Sequence, residues 1–178
     1  MSKVLYNTKY LQLKSTPSKS GNEWVYAHRP NASDVVVILP ETEDEVLFLI
    51  EERPPLQAEN RGKYSIAVPA GLVGDERAGE SLEDAIKAEL KEEAGLVADE
   101  INIVARNVAS SAGCVSETVT LAIAKINDKE CIYPPVSDGG VIVDRIWVKK
   151  SEIKNWLKQK ENEGYLLTAQ TLAVLFYL

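Results

Sequence analysis

The 178-residue sequence is poor in the two residue types that build many catalytic and metal sites. It contains one histidine, His28, and two cysteines, Cys114 and Cys131. A single histidine argues against a Ser-His-Asp triad and against a zinc site with several histidine ligands. Two cysteines provide no disulfide framework, and this usage favours a reducing cytoplasm over secretion.

Positive charge is also scarce. The sequence carries 20 lysines and arginines against 27 aspartates and glutamates, which gives a formal net charge of −7. This charge would repel a phosphate-rich polymer, so we expect no nucleic-acid partner. A small anionic substrate remains compatible with it, because a bound metal ion reverses the local field.

Long hydrophobic runs are missing as well. No apolar stretch is long enough to cross a bilayer, and the N-terminus lacks the basic-then-apolar pattern of a signal peptide. We therefore expect no membrane partner. With 45% hydrophobic and 26% charged residues, the composition is typical of a soluble globular protein. The length of 178 residues predicts one domain with a small extension.

Carboxylates, in contrast, are concentrated on one predicted helix. Residues 80–96 read ESLEDAIKAELKEEAGL, in which Glu89, Glu92 and Glu93 are spaced i, i+3 and i+4. At ~100° per residue, these side chains fall within about 60° of one another. Because like charges repel, the grouping would not stabilise a helix by itself. A hard divalent cation such as Mg²⁺ or Mn²⁺ would explain it.

The simpler alternative is a solvated, glutamate-rich helix supported by i,i+4 pairs with Lys87 and Lys91. That alternative leaves Gly74, which precedes the segment, and Gly95, near its end, unexplained. The helix itself is well specified, since Ser81 can cap its start and Gly95 suits the left-handed turn that ends a helix.

Hydrophobic patterning predicts an α/β layered domain. The predicted strands are residues 3–14, 22–29, 34–39, 45–52, 64–68, 101–109, 118–126 and 141–148. Besides the glutamate-rich helix, the predicted helices are residues 151–160, with Ser151 as N-cap, and residues 168–178.

The glutamate-rich segment resembles the Nudix box, whose pattern is G-x5-E-x7-R-E-U-x-E-E-x-G-U, with U an aliphatic residue. The matching residues are Gly74, Glu80, Glu89, Leu90, Glu92, Glu93, Gly95 and Leu96. Ala88 departs from the pattern, because the family has arginine there. The resemblance implies a Nudix-type α/β/α sandwich with a mixed β-sheet, and metal ligation by Glu89, Glu92 and Glu93.

Residues 68–72 read VPAGL and resemble a "PAG" element that precedes the box in the ADP-ribose pyrophosphatase branch of the family. In that branch the alanine carbonyl is a metal ligand, which implies this role for Ala70. The Val73 carbonyl is the alternative, because Gly71 and the box glycine Gly74 are separate in this chain. Gly71 is expected to line the substrate site.

Two further segments resemble the same branch. Residues 111–117 read SAGCVSE and are similar to a loop SPGxxSE, whose glutamate activates or orients the attacking water. This implies that Glu117 is the general base, with Glu89 as the alternative. Arg53 resembles a "Q-x-R" position and could bind a diphosphate bidentately, although a surface ion pair is the plain alternative.

Residues 21–29 resemble the N-terminal strand of the branch, in which an aromatic side chain can stack on a nucleobase. Trp24 has the flat apolar face for this role, but a core or dimer-interface position is equally compatible. In the branch, similar strands pair with a second subunit, which implies a homodimer. We therefore divide the chain into an extension, residues 1–30, that forms the dimer contact and a substrate wall, and a Nudix hydrolase domain, residues 31–178.

The leading hypothesis is Mg²⁺- or Mn²⁺-dependent hydrolysis of ADP-ribose to AMP and ribose 5-phosphate. One alternative is a Nudix hydrolase that acts on nucleotide sugars, dinucleotides or nucleoside triphosphates. The other, favoured by Ala88, is a catalytically weakened Nudix protein that binds or senses a ligand.

Overall fold

The computed structural model describes residues 2–74, 79–130 and 142–178. Its strands are β1 (Lys3–Asn7), β2 (Gln12–Pro17), β3 (Glu23–His28), β4 (Asp34–Glu41), β5 (Glu45–Glu52), β6 (Tyr64–Ala67), β7 (Ala70–Val73), β8 (Glu100–Ala109), β9 (Thr118–Lys125), β10 (Ile142–Lys149) and β11 (Leu166–Leu167). Its helices are α1 (Pro54–Ala58), α2 (Leu82–Glu89), α3 (Ile153–Asn162) and α4 (Ala169–Leu175), with a π-helical turn at Leu90–Ala94. Cys131 and Val141, the first residue of a predicted strand, lie outside the described residues.

The strands form two sheets. β1, β2 and β3 make a three-stranded antiparallel sheet at the N-terminus. The main sheet has the order β11-β6-β5-β4-β9-β8, with β10 added to β5 and β7 added to β4. Because β4 runs parallel to β9 and β11 parallel to β6 among otherwise antiparallel pairs, the predicted mixed sheet is confirmed.

Helices cover both faces of the main sheet. Along β4 successive side chains point to opposite faces, so Val36 packs in a cluster with Ile86 of α2. Its neighbour Val37 belongs to a second cluster that contains Leu157 of α3 and Val174 of α4. The sandwich of helix, sheet and helix is therefore present, with the box helix on one side of the central strands and α3 and α4 on the other.

Three local features differ from the sequence prediction. The predicted strand 3–14 is interrupted by a turn at Thr8, whose N–H donates to Leu11 O at 2.9 Å. Ser151 does not cap α3, because Glu152 occupies the N-cap position without a side-chain cap bond. Ala70 and Gly71 of the PAG element, for which no strand was predicted, begin β7, which pairs with β4.

The box helix begins as predicted. Ser81 Oγ accepts a hydrogen bond from Asp84 N–H at 3.1 Å, and Gly95 ends the helix in the left-handed region with φ 72°. Between them the helix widens into the π-helical turn. Because Glu92 and Glu93 lie in this turn, the regular α-helical spacing holds only as far as Glu89.

Within the described ranges, no helix is both long and apolar enough to cross a membrane.

Candidate active site

A cavity of about 800 Å³ lies between the box helix, β7 and the start of α4. The charged side chains that line it are Glu51, Glu80, Glu89, Glu92, Glu93, Glu117, Arg29 and Arg53. Ala70 and Gly71 line it too. The fold thus brings the predicted catalytic, metal-binding and diphosphate-binding residues to one cavity, although they come from separate parts of the chain.

Glu89 lies directly against the backbone of Gly71. A Cβ atom added at residue 71 would be 1.6 Å from Glu89 Oε1 and 1.9 Å from its carboxyl carbon. Real Cβ atoms essentially never approach another atom this closely, so the observed position of the carboxylate requires glycine here. Gly71 therefore provides the space in which the Glu89 carboxylate lies.

Glu93 is oriented by the neighbouring residue of β7. The Ala70 N–H donates a hydrogen bond to Glu93 Oε2 at 2.9 Å. Adjacent residues of one strand, Ala70 and Gly71, thus each contact a different box glutamate. The π-helical turn and β7 together place the two carboxylates beside the same short stretch of backbone.

Two other box residues, Gly74 and Glu80, contact each other before α2. Gly74 has φ 82°, which favours glycine, and its N–H donates to Glu80 Oε2 at 3.4 Å. Glu80 also lines the cavity, near the entry of the helix.

The carboxylates of the cavity suit a divalent cation that also binds substrate. Among the described residues, no three histidine, cysteine, aspartate or glutamate side chains converge into a complete metal-binding cluster. Mg²⁺ commonly takes only one or two carboxylates from the protein and completes its octahedron with waters and substrate phosphates. Glu89 and Glu93, whose carboxylates contact adjacent residues of β7, fit such a shared site.

Glu117 is held by a residue that the sequence analysis missed. Arg29 Nε lies 2.8 Å from Glu117 Oε2, and Ser110 Oγ donates to the other oxygen at 3.3 Å. Arg29 directly follows β3, so the N-terminal sheet contributes a cation to the cavity. No local pattern marks Arg29, because its partner lies 88 positions away in the chain.

Arg53 forms an ion pair with a buried acid. Its Nη2 lies 2.6 Å from Glu51 Oε2, and Glu51 is only 1% exposed. Burial raises the pKa of the Glu51 carboxyl above its usual value, and the Arg53 guanidinium opposes this shift. Arg53 therefore lines the cavity, where a diphosphate could reach it, and also forms the ion pair that was the plain alternative.

Trp24 does not line this cavity. Its Nε1–H donates to Gly113 O at 3.0 Å, and the residue is 51% exposed. The loop that Trp24 contacts leads to Glu117 and is fixed to β3 by a further bond from Ala27 N–H to Cys114 O. His28 pairs through Nδ1 with Ser116 Oγ at 2.9 Å.

Comparison with known proteins identifies a family and similar solved structures. Residues 28–169 match the family model described as NUDIX domain. The fold is similar to the crystal structure of an ADP compounds hydrolase, with a TM-score of 0.66 and 18% sequence identity over 99% of this chain and 88% of that chain. No curated protein matches the sequence. At this identity the structural likeness supports the fold alone.

Proposed function

The chain belongs to the Nudix family, and on that premise we propose that it is a pyrophosphohydrolase that cleaves a nucleoside diphosphate derivative, with ADP-ribose as the leading substrate. Nudix proteins act on small nucleotide substrates and generally use divalent metal ions. One observation carries the proposal. The carboxylates of Glu89 and Glu93, from the box helix, contact the adjacent β7 residues Gly71 and Ala70 in the wall of a ligand-sized cavity.

We assign the metal ligands within this arrangement. Glu89, Glu93 and the Ala70 carbonyl would hold Mg²⁺ or Mn²⁺, with Glu92 as a further ligand or as the group that orients one. The metal would supply positive charge for the phosphoryl oxygens and lower the pKa of a bound water. Gly71 contributes by leaving room for the Glu89 carboxylate beside the substrate.

Glu117 is the proposed general base, with Glu89 as the alternative. In the present arrangement one Glu117 oxygen is paired with Arg29. An anionic diphosphate in the cavity offers Arg29 a second partner, and this exchange would free the carboxylate to accept a proton from water. The water oxygen then bonds to one phosphorus, the bridging phosphoanhydride bond breaks, and two monophosphates leave.

Arg29 and Arg53 favour a diphosphate as the recognised group. Both guanidinium groups line the cavity, and both are about half exposed, so a substrate can reach them without unfolding the site. A planar guanidinium binds phosphate oxygens bidentately. The similarity to an ADP compounds hydrolase makes an ADP moiety the first to test.

A substrate panel at saturating Mg²⁺ tests the assignment. We expect ADP-ribose to have the highest kcat/KM among ADP-ribose, nucleotide sugars, dinucleotides and nucleoside triphosphates, with AMP and ribose 5-phosphate as its products. A nucleotide sugar or a triphosphate cleaved at least tenfold more efficiently would replace this substrate by the corresponding alternative.

We also propose that the protein is a homodimer formed through residues 1–30, with residues 31–178 as the hydrolase domain. The N-terminal sheet exposes several large apolar side chains, among them Tyr6 at 67% and Trp24 at 51%. An exposed apolar sheet is a liability that a second subunit would cover, and Trp24 would then be available as a wall of the partner's cavity.

Light scattering of the purified chain at micromolar concentration checks the dimer. We expect a mass of two chains for the wild type and a shift toward one chain for Tyr6→Asp, because burying a carboxylate in the contact is unfavourable. Tyr177→Asp, at an exposed aromatic near the C-terminus, is the matched control and should remain dimeric. A wild-type monomer would refute the proposal.

A further inference from the structure

The last turn of the box helix is held by an arginine from a distant strand. Arg145, on β10, donates from Nε to the backbone carbonyl of Glu93. Arg145 is partly buried and lies opposite Leu49 in the ladder between β10 and β5. The contact therefore links the main sheet directly to the turn that carries a proposed metal ligand.

This hydrogen bond completes the C-terminal end of the box helix. The final carbonyls of a helix have no partner within it and carry partial negative charge. Here the Gly95 N–H donates a hydrogen bond to Lys91 O at 3.1 Å, and the Leu96 N–H donates one to Leu90 O, also at 3.1 Å. Arg145 provides a donor and a positive charge for the carbonyl of Glu93.

Both the backbone and the side chain of Glu93 are thus held by other elements. Its carbonyl accepts from Arg145, and its carboxylate accepts from the Ala70 N–H. A shift of the backbone at Glu93 would be carried to the carboxylate, because the side chain spans the gap between the helix and β7. The position of this carboxylate therefore depends on the guanidinium of β10.

The box helix does not have the arginine that the family motif places at position 88. Residue 88 is alanine, and its side chain lines the cavity. Lys87 cannot replace a cation there, because it is exposed and its Nζ lies 2.6 Å from Glu83. Arg145, which lies outside the box, donates to the carbonyl of Glu93 in the last turn of the box helix.

We propose that Arg145 is a positioning residue for the metal site and that it compensates for the alanine at position 88. The inference rests on the proposed function, since it concerns the placement of Glu93 as a ligand. Arg145 acts through the Glu93 carbonyl and does not itself touch the metal or the substrate.

The proposal is tested by direct Mn²⁺ binding, measured by calorimetry on the full chain, for the wild type and three single variants. Arg145→Gln should weaken binding about 10- to 100-fold, the usual effect of removing a partner of a metal ligand. Arg145→Lys should lose part of this affinity, because lysine keeps the charge without the planar fork. Arg106→Gln, at an exposed arginine on β8, is the control and should bind as the wild type does.

A second-site change provides the sharper readout. Ala88→Arg should alter Mn²⁺ affinity little in the wild type but should restore part of it in Arg145→Gln, because the two arginines would serve the same turn. If Arg145→Gln and Arg145→Lys lower only the melting temperature and bind Mn²⁺ as Arg106→Gln does, Arg145 is merely structural and the inference is overturned. If the wild type itself fails to bind Mn²⁺, the proposed metal site fails first and the inference falls with it.

Discussion

Replacing Gly71 with alanine should lower the rate of hydrolysis by about 100-fold or more at saturating Mg²⁺. The new Cβ would lie 1.6 Å from Glu89 Oε1, so the carboxylate must leave its place beside β7. Losing a correctly placed metal ligand removes several kcal/mol of transition-state charge stabilisation, and each 1.36 kcal/mol is worth about tenfold in rate. The measurement is kcat with ADP-ribose, together with thermal unfolding of the variant.

Gly113→Ala is the matched control for this substitution. A Cβ at residue 113 would meet no atom within 4 Å, so the rate should stay within about threefold of the wild type. If Gly71→Ala folds and hydrolyses ADP-ribose at the wild-type rate, the position of the Glu89 carboxylate against Gly71 is irrelevant to catalysis.

Glu93→Gln should lower kcat by about 10²–10⁴-fold, the scale expected when several kcal/mol of charge stabilisation are lost. The amide oxygen of glutamine can still accept the hydrogen bond from Ala70 N–H, so the turn should keep its place. What disappears is the negative charge that a cation requires.

Glu80→Gln supplies the comparison within the same motif. Glu80 contacts the Gly74 N–H at 3.4 Å, at the entry of the helix, and an amide oxygen can accept that bond as well. We expect kcat to fall by about tenfold or less, because the Glu80 carboxylate contacts the Gly74 backbone and is not a proposed metal ligand. Small and equal losses for Glu80→Gln and Glu93→Gln would be inconsistent with the proposed ligand set.

The parts of the site that could be predicted from sequence are those that depend on one helix. The cap at Ser81 and the stop at Gly95 follow from residue types over a few positions, whereas the π-helical turn alters the α-helical spacing from which Glu89 and Glu93 were grouped. The Nudix fold was predicted from the same segment, and the family match and the mixed sheet confirm it. Local periodicity and a motif were sufficient for these features.

The missed features depend on contacts between distant segments. Arg29 meets Glu117 across 88 positions, and Arg145 meets Glu93 across 52. Neither arginine stands in a distinctive local pattern, since strand pairing and not spacing along the chain brings each to its partner. A single sequence contains no signal for such pairs.

The PAG element shows a different reason for error. Proline, alanine and glycine have low intrinsic strand propensity, and no strand was predicted for this segment. Pairing with β4 overrides this preference, and Val37 lies opposite Ala70 in the ladder. The same pairing sets the backbone against which Glu89 and Glu93 pack, so a local misprediction falls at the centre of the site.

The most direct test of the central claim is ADP-ribose hydrolysis by metal-stripped protein, followed by phosphorus-31 NMR while Mg²⁺ is titrated. The account predicts no turnover with chelator present, and two monophosphate resonances whose rate of appearance saturates with Mg²⁺. Equal rates with and without Mg²⁺ would contradict the metal-dependent mechanism. Saturable Mg²⁺ binding without cleavage of ADP-ribose or of any other compound in the panel would contradict the enzyme assignment and favour a ligand-binding Nudix protein.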